Sequence, residues 1–211
     1  MQTPTRVGWK TLEEDFPGFG SYGKIHYQLP LAYGEPSLIE SAILMEMVHS
    51  ANPKKILEIG RCRGRGSLGL ALATNAHVTT LDLPEPEKIY AESNSKSANE
   101  LWESHGVKNK ITEILVNSRD FKTEERFDVV IVDADHSYLG AKKDIELALE
   151  LIGVGGLIII HDYYKKSFPG VSAAVAERSC ELNIKWIECR AEFLETSLCY
   201  FSNKKGSNLV I

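Results

Sequence analysis

Residues 54–73 read KKILEIGRCRGRGSLGLALA, and this stretch decides the fold class. The apolar run 56–59 carries Glu58 and stops at Gly60. A turn holding Gly60, Gly64 and Gly66 follows, then Leu68, Leu70, Leu72 and the alanines of a buried helix. The pattern is strand, tight loop, helix, with an acid at the strand's end. Glycine lets a backbone approach a ligand where a Cβ would clash. The helix start presents unpaired N–H groups beside the loop. Such a loop suits a nucleotide-like cofactor. A valine at Gly60 is expected to block that cofactor while sparing the fold. Its spacing is G-x-x-x-G-x-G, not the G-x-G-x-x-G of a dinucleotide fold, which weighs against a nicotinamide dehydrogenase. The plain alternative is a turn that binds nothing.

Outward from this loop the chain alternates. Strands are expected at 54–60, 78–83, 111–117, 127–133 and 157–161. Helices are expected at 66–75, 95–105, 139–152 and 171–182. Upstream, Ser37 can cap a helix through Ile39, Ile43, Leu44, Met47 and Val48, apolar at helical spacing, with Met45 and Met47 in its core or rim. Unbroken β-branched runs such as FDVVIVD mean strands buried on both faces. Two last strands, 184–189 and 197–202, have no helix between them and suit an antiparallel pair. The expected fold is α/β: a doubly wound, mostly parallel, Rossmann-like sheet with an antiparallel last strand. Residues 37–211 form one domain in this reading. Residues 1–36, irregular and rich in aromatics, form a lid over a site, an arm on a partner subunit, or a packed loop.

A chain of 211 residues with 43% hydrophobic and 25% charged residues can bury a sizeable core. Its net charge of -5 disfavours nucleic acid and anionic membrane as partners. Cys62, Cys180, Cys189 and Cys199 show no metal-ligand spacing and read as reduced thiols of a cytoplasmic protein. Neither a secretory signal nor an apolar stretch of membrane-spanning length is expected.

The chemistry-bearing residues fall at strand ends. Asp82 ends the second expected strand, about 20 residues past the first glycine, where an acid accepts from ribose hydroxyls. Asn117 and Ser118 end the third. Asp133, Asp135 and His136 follow the fourth, and His161 and Asp162 end the fifth. These last two sets should share one edge of the sheet. Carboxylates gathered there need a divalent cation, or groups whose pKa values shift to share protons. His161 could serve as a general base, or could simply cap a helix with Asp162. Arg61, Arg63 and Arg65 read as a solvated rim paired to nearby acids, or as a greeting for an anionic substrate.

E-I-G-x-x-x-G-x-S, D-A-D-H-S-Y and G-G-L-I-I-I-H-D-Y together resemble class I S-adenosylmethionine (SAM)-dependent methyltransferases. The resemblance covers residues 37 to 202 and is nearest the small-molecule, cation-dependent O-methyltransferases. It implies a cofactor site of Glu58, Gly60, Arg61, Gly64, Ser67, Asp82, Leu83, Asn117, Ser118 and Asp133. It implies a divalent cation (magnesium, manganese or zinc) on Asp133, His161 and Asp162. The base that takes the acceptor's proton is then Asp135, His136 or His161. Three positions depart from the pattern: Cys62 replaces a glycine, Asn117 an acid and His161 an acid. The implied function is methyl transfer to an oxygen of a small-molecule acceptor. A non-methylating accessory protein of the same fold is the alternative, and a homodimer is an open option.

Overall fold

The computed structural model describes residues 5–8, 38–84, 97–163, 166–179, 185–188 and 198–202. The helix cap at Ser37, the 9–36 part of the N-terminal segment, and Cys180 and Cys189 lie outside them.

Eight strands form one sheet: β1 (Thr5–Gly8), β2 (Lys55–Ile59), β3 (His77–Asp82), β4 (Ile111–Leu115), β5 (Phe127–Val132), β6 (Ile152–Ile160), β7 (Lys185–Glu188) and β8 (Cys199–Ser202). Among the described residues five α-helices accompany them: α1 (Leu38–Ala51), α2 (Arg65–Ala73), α3 (Ala98–Ser104), α4 (Tyr138–Leu151) and α5 (Pro169–Arg178). The strand order is β1-β7-β8-β6-β5-β2-β3-β4. Every pairing is parallel except the two made by β8, against β6 and β7. The expected doubly wound sheet is therefore present, and its antiparallel last strand lies inside the sheet rather than at its rim. Residues 5–8, expected to be irregular, instead add an edge strand beside β7.

Both faces of the sheet are covered, which explains the unbroken apolar runs. Successive side chains of a strand point to opposite faces. Ile56, Val129 and Leu157 enter a core with Ile43 and Met47 of α1, Leu68 of α2 and Trp102 of α3. Their neighbours Leu57, Val130 and Ile158 enter a second core with Ile145 of α4 and Val175 of α5. Met45 is buried as well, as expected. Helix α3 starts on a capping box, in which Ser97 accepts from Glu100 N–H and the Glu100 carboxylate accepts from Ser97 N–H. No helix among the described residues is long and apolar enough to cross a membrane.

Candidate active site

The glycine loop is built from beneath. Gly60 has φ +102°, and a Cβ there would lie 2.0 Å from the carbonyl oxygen of Asp133. Its N–H bonds the Leu81 carbonyl at 3.0 Å, so it is wedged between the ends of β3 and β5. A Cβ on Gly66 would lie 2.3 Å from Glu58 Oε1. Glu58 is buried there, accepting from the hydroxyls of Ser67 and Thr80. Burial pushes its carboxyl up to about 7 despite those two donors. The Gly64 carbonyl accepts from Trp102 Nε1 at 2.7 Å. The glycines thus make room for parts of the protein itself. A valine at Gly60 would strike the backbone of β5's end and strain the fold as well as the site.

The arginines also differ from expectation. Arg61 is buried and pairs with Glu113 at 2.8 Å, and Arg65 is buried beside it in the chain. Arg61 is thus paired to an acid, as expected, but from inside the protein, and neither Arg61 nor Arg65 forms a solvated rim. Arg63 is half-buried.

Above the loop, a cavity of about 360 Å³ runs along the C-terminal ends of β5, β2, β3 and β4. This falls in the size range of small-molecule sites, roughly 300–1,000 Å³. Gly60, Asp82, Leu83, Asn117, Ser118 and Asp133 line it. Glu58, Arg61, Gly64 and Ser67, assigned to the same site, lie under the loop and shape it without lining the cavity. Asp82 Oδ2 accepts from Cys62 N–H at 2.8 Å, and Oδ1 accepts from Leu83 N–H at 2.7 Å. The first bond holds Cys62 at φ +51°, a region side chains rarely adopt. Asn117 Oδ1 accepts from Arg119 N–H and starts the short turn Ser118–Asp120.

At the β5 and β6 ends lies the acid–histidine cluster. His136 Nε2 stands 2.7 Å from Asp162 Oδ2 and 3.6 Å from Asp133 Oδ1, with its ring stacked on Phe168. His161 Nδ1 stands 3.1 Å from Asp162 Oδ1 and 3.4 Å from Asp133 Oδ1. Its Nε2 lies 3.8 Å from Glu40 Oε2 of α1. These contacts are close but poorly aligned as hydrogen bonds, so they act as charge pairs. Asp133 and Asp162 push His136 up to about 9, against its partial burial. Burial pulls His161 down, but Asp133, Asp162 and Glu40 more than reverse it. Burial raises Asp133, yet His161 and His136 bring it below the usual carboxylate range. Two histidines thus face three carboxylates, and the acids raise both imidazoles. Asp162 itself sits at φ +60°, a strained angle held by its surroundings.

Asp133, His136 and Asp162 offer ligand atoms that all lie within 4.8 Å of one another. This trio holds His136 rather than His161, whose ring has Nδ1 beside Asp133 and Asp162 and Nε2 toward Glu40. Asp135 is engaged elsewhere. It accepts from Ser137 N–H at 2.9 Å and pairs with Arg119 at 3.3 Å. Burial raises its carboxyl, but Ser137 and Arg119 hold it below the usual range.

Three residues of the site are absent from the sequence reading: Glu40, Trp102 and Asp144. Asp144 lines the cavity and accepts from Ser118 Oγ at 2.5 Å. Two of them left a signal. Asp144 falls on the apolar stripe of α4, and Glu40 belongs to a helix apolar almost all round, whose acids must also be buried.

Comparison with known proteins fits this geometry. Comparison with curated protein sequences returns no match. Among solved structures, a Klebsiella pneumoniae protein described as an O-methyltransferase superposes with TM-score 0.66 at 17% identity, covering 93% of this chain and 91% of that one. The O-methyltransferase TomG of Streptomyces achromogenes, solved with SAM, gives 0.64 at 17%, covering 89% and 90%. The N-methyltransferase NodS of Bradyrhizobium japonicum gives 0.54 at 16%, covering 79% and 97%. At such identities the likeness establishes the fold, and the two acceptor atoms show that the fold does not select one. The sequence profile of a methyltransferase domain matches residues 57–163, from inside β2 to just past Asp162, and the chain belongs to that methyltransferase-domain family.

Proposed function

We propose that the chain is a SAM-dependent methyltransferase acting on an oxygen of a small molecule. One observation carries this reading: a single cavity joins Gly60 and the strand-end acid Asp82 to the Asp133–His136 turn. When bound, SAM supplies a sulfonium methyl that passes to a nucleophile by direct displacement. Asp82 would hold the ribose hydroxyls with the lone pairs left free by Cys62 and Leu83 N–H. Gly60 and the start of α2 would face the amino-acid end. The acceptor belongs beside His136, the half-exposed member of the cluster. His136 keeps its proton through neutral pH, so it steadies an acceptor oxygen that carries negative charge. It accepts a proton itself only as the pH approaches about 9.

A second reading, favoured by the three ligand atoms within 4.8 Å, adds a divalent cation on Asp133, His136 and Asp162. That mixed nitrogen and oxygen set suits manganese or zinc better than magnesium. The ion would have to displace the His136 proton, and it would lower the pKa of a bound hydroxyl.

Calorimetry with S-adenosylhomocysteine (SAH) and turnover after exhaustive chelation test both. Wild-type protein should bind SAH, and Asp82→Ala should weaken it by ~1–3 kcal/mol. Unchanged affinity in that variant would remove the cofactor assignment. Turnover that survives chelation and climbs toward pH 9 fits histidine chemistry. Turnover restored only by added manganese or zinc fits the cation.

A further inference from the structure

Asp144 is a carboxylate where helix physics argues against one. It lies on the stripe of α4 that buries Gly140, Ala141, Ile145 and Ala148, and it is 2% exposed. Aspartate is a weak helix former, and an acid in a core stripe carries a desolvation penalty. Burial accordingly pushes its carboxyl up. Its two oxygens reach two different loops. Oδ1 accepts from Ser118 Oγ at 2.5 Å, in the turn after β4. Oδ2 accepts a longer bond, 3.4 Å, from the backbone N–H of Asp135, in the turn after β5. A third strut runs outside it, where Arg119 of the first turn pairs with Asp135 of the second at 3.3 Å. Ser118, Arg119, Asp135 and Asp144 all line the cavity.

The position of this clamp tells which part of a ligand it governs. Asp82 marks the ribose, and β4 is the next strand outward from β3. The cavity wall made by Leu83, Asn117 and Ser118 therefore faces the base. We propose that Asp144 is a positioning residue that fixes the gap between the Ser118 and Asp135 turns, and so sets selectivity for an aminopurine base. This rests on the cofactor reading above. Asp144 acts through Ser118 and Asp135. Without it the two turns lose their shared acceptor, and the pocket for the base widens.

The test compares binding of SAH with binding of S-inosylhomocysteine, in which a carbonyl replaces the adenine amino group, by calorimetry. Wild-type protein should prefer SAH. Asp144→Ala should weaken SAH by about tenfold, as the displaced wall loses one good hydrogen bond to the base. It should weaken the inosine analogue much less, so the preference collapses. Asp144→Asn should restore the preference, since its amide oxygen can accept from Asp135 N–H and its amide nitrogen can donate to Ser118 Oγ. If Asp144→Ala does not fold, Ser118→Ala removes half of the clamp and should reduce the preference in the same direction. A lower unfolding temperature with an unchanged SAH-to-inosine ratio in either variant would overturn the proposal and leave Asp144 as a packing residue. Failure of wild-type protein to bind SAH would instead overturn the cofactor reading, so the two failures are distinguishable.

Discussion

At the residue scale, the cluster of two histidines and three acids couples stability to pH. His136 ordinarily titrates at 6.5, and in the folded protein it is raised to about 9. A raised histidine stabilises the fold fully below its unfolded value, and that contribution is lost as pH climbs through the folded one. His161 is raised in the same direction. Resistance to urea should therefore fall from about pH 6.5 to about pH 9 in chelator-treated protein. His136→Gln should fall less steeply, retaining only the share of His161. Superimposable pH profiles for the two proteins would show that His136 carries its usual pKa. Much of this site was legible in the residues, because strand ends in a doubly wound sheet share one edge. Which histidine faces which acid was not. His136 and His161 sit on different strand ends, and their pairing depends on loop angles such as φ +60° at Asp162, which no spacing rule specifies.

At the element scale, α3 is the short helix that covers the glycine loop. Trp102 is fully buried, donates to the Gly64 carbonyl and fills the space a Gly64 side chain would need. The capping box at Ser97 holds the helix start in place. Ser97→Ala should cost about 1 kcal/mol of stability and loosen the loop. SAH affinity should then drop although Ser97 does not line the cavity. Unaltered affinity together with the expected loss of stability would uncouple α3 from the loop. The helices themselves were readable from their periodicity, with ends displaced by a few residues. Strand β1 was not readable. Its four residues, TRVG, carry no clear alternation, and they pair with residues 185–188 at the far end of the chain. Pairing over such a distance leaves no trace in local pattern.

For the whole molecule, the strands whose ends line the cavity and the outer strands form two halves of one sheet. The cavity draws on β5, β2, β3 and β4, while β1, β7 and β8 lie beyond β6. Deleting residues 1–8 should uncover the β7 edge, lower the unfolding temperature and promote aggregation. SAH affinity should stay within about twofold, under half a kcal/mol. A large loss of affinity on deletion would mean that β1 supports the site from the far edge. The antiparallel strand has a consequence for synthesis. Among the described strands β8 is the last made, yet it is the partner through which β7 and β1 attach to the rest. A nascent chain therefore completes the five parallel strands β2 to β6 first, while the outer edge of β6 waits for residues not yet translated. At ~5–20 residues per second the stretch 161–198 takes on the order of 2–8 seconds to emerge. Throughout that interval the growing polypeptide carries a finished cavity wall and an open strand edge side by side.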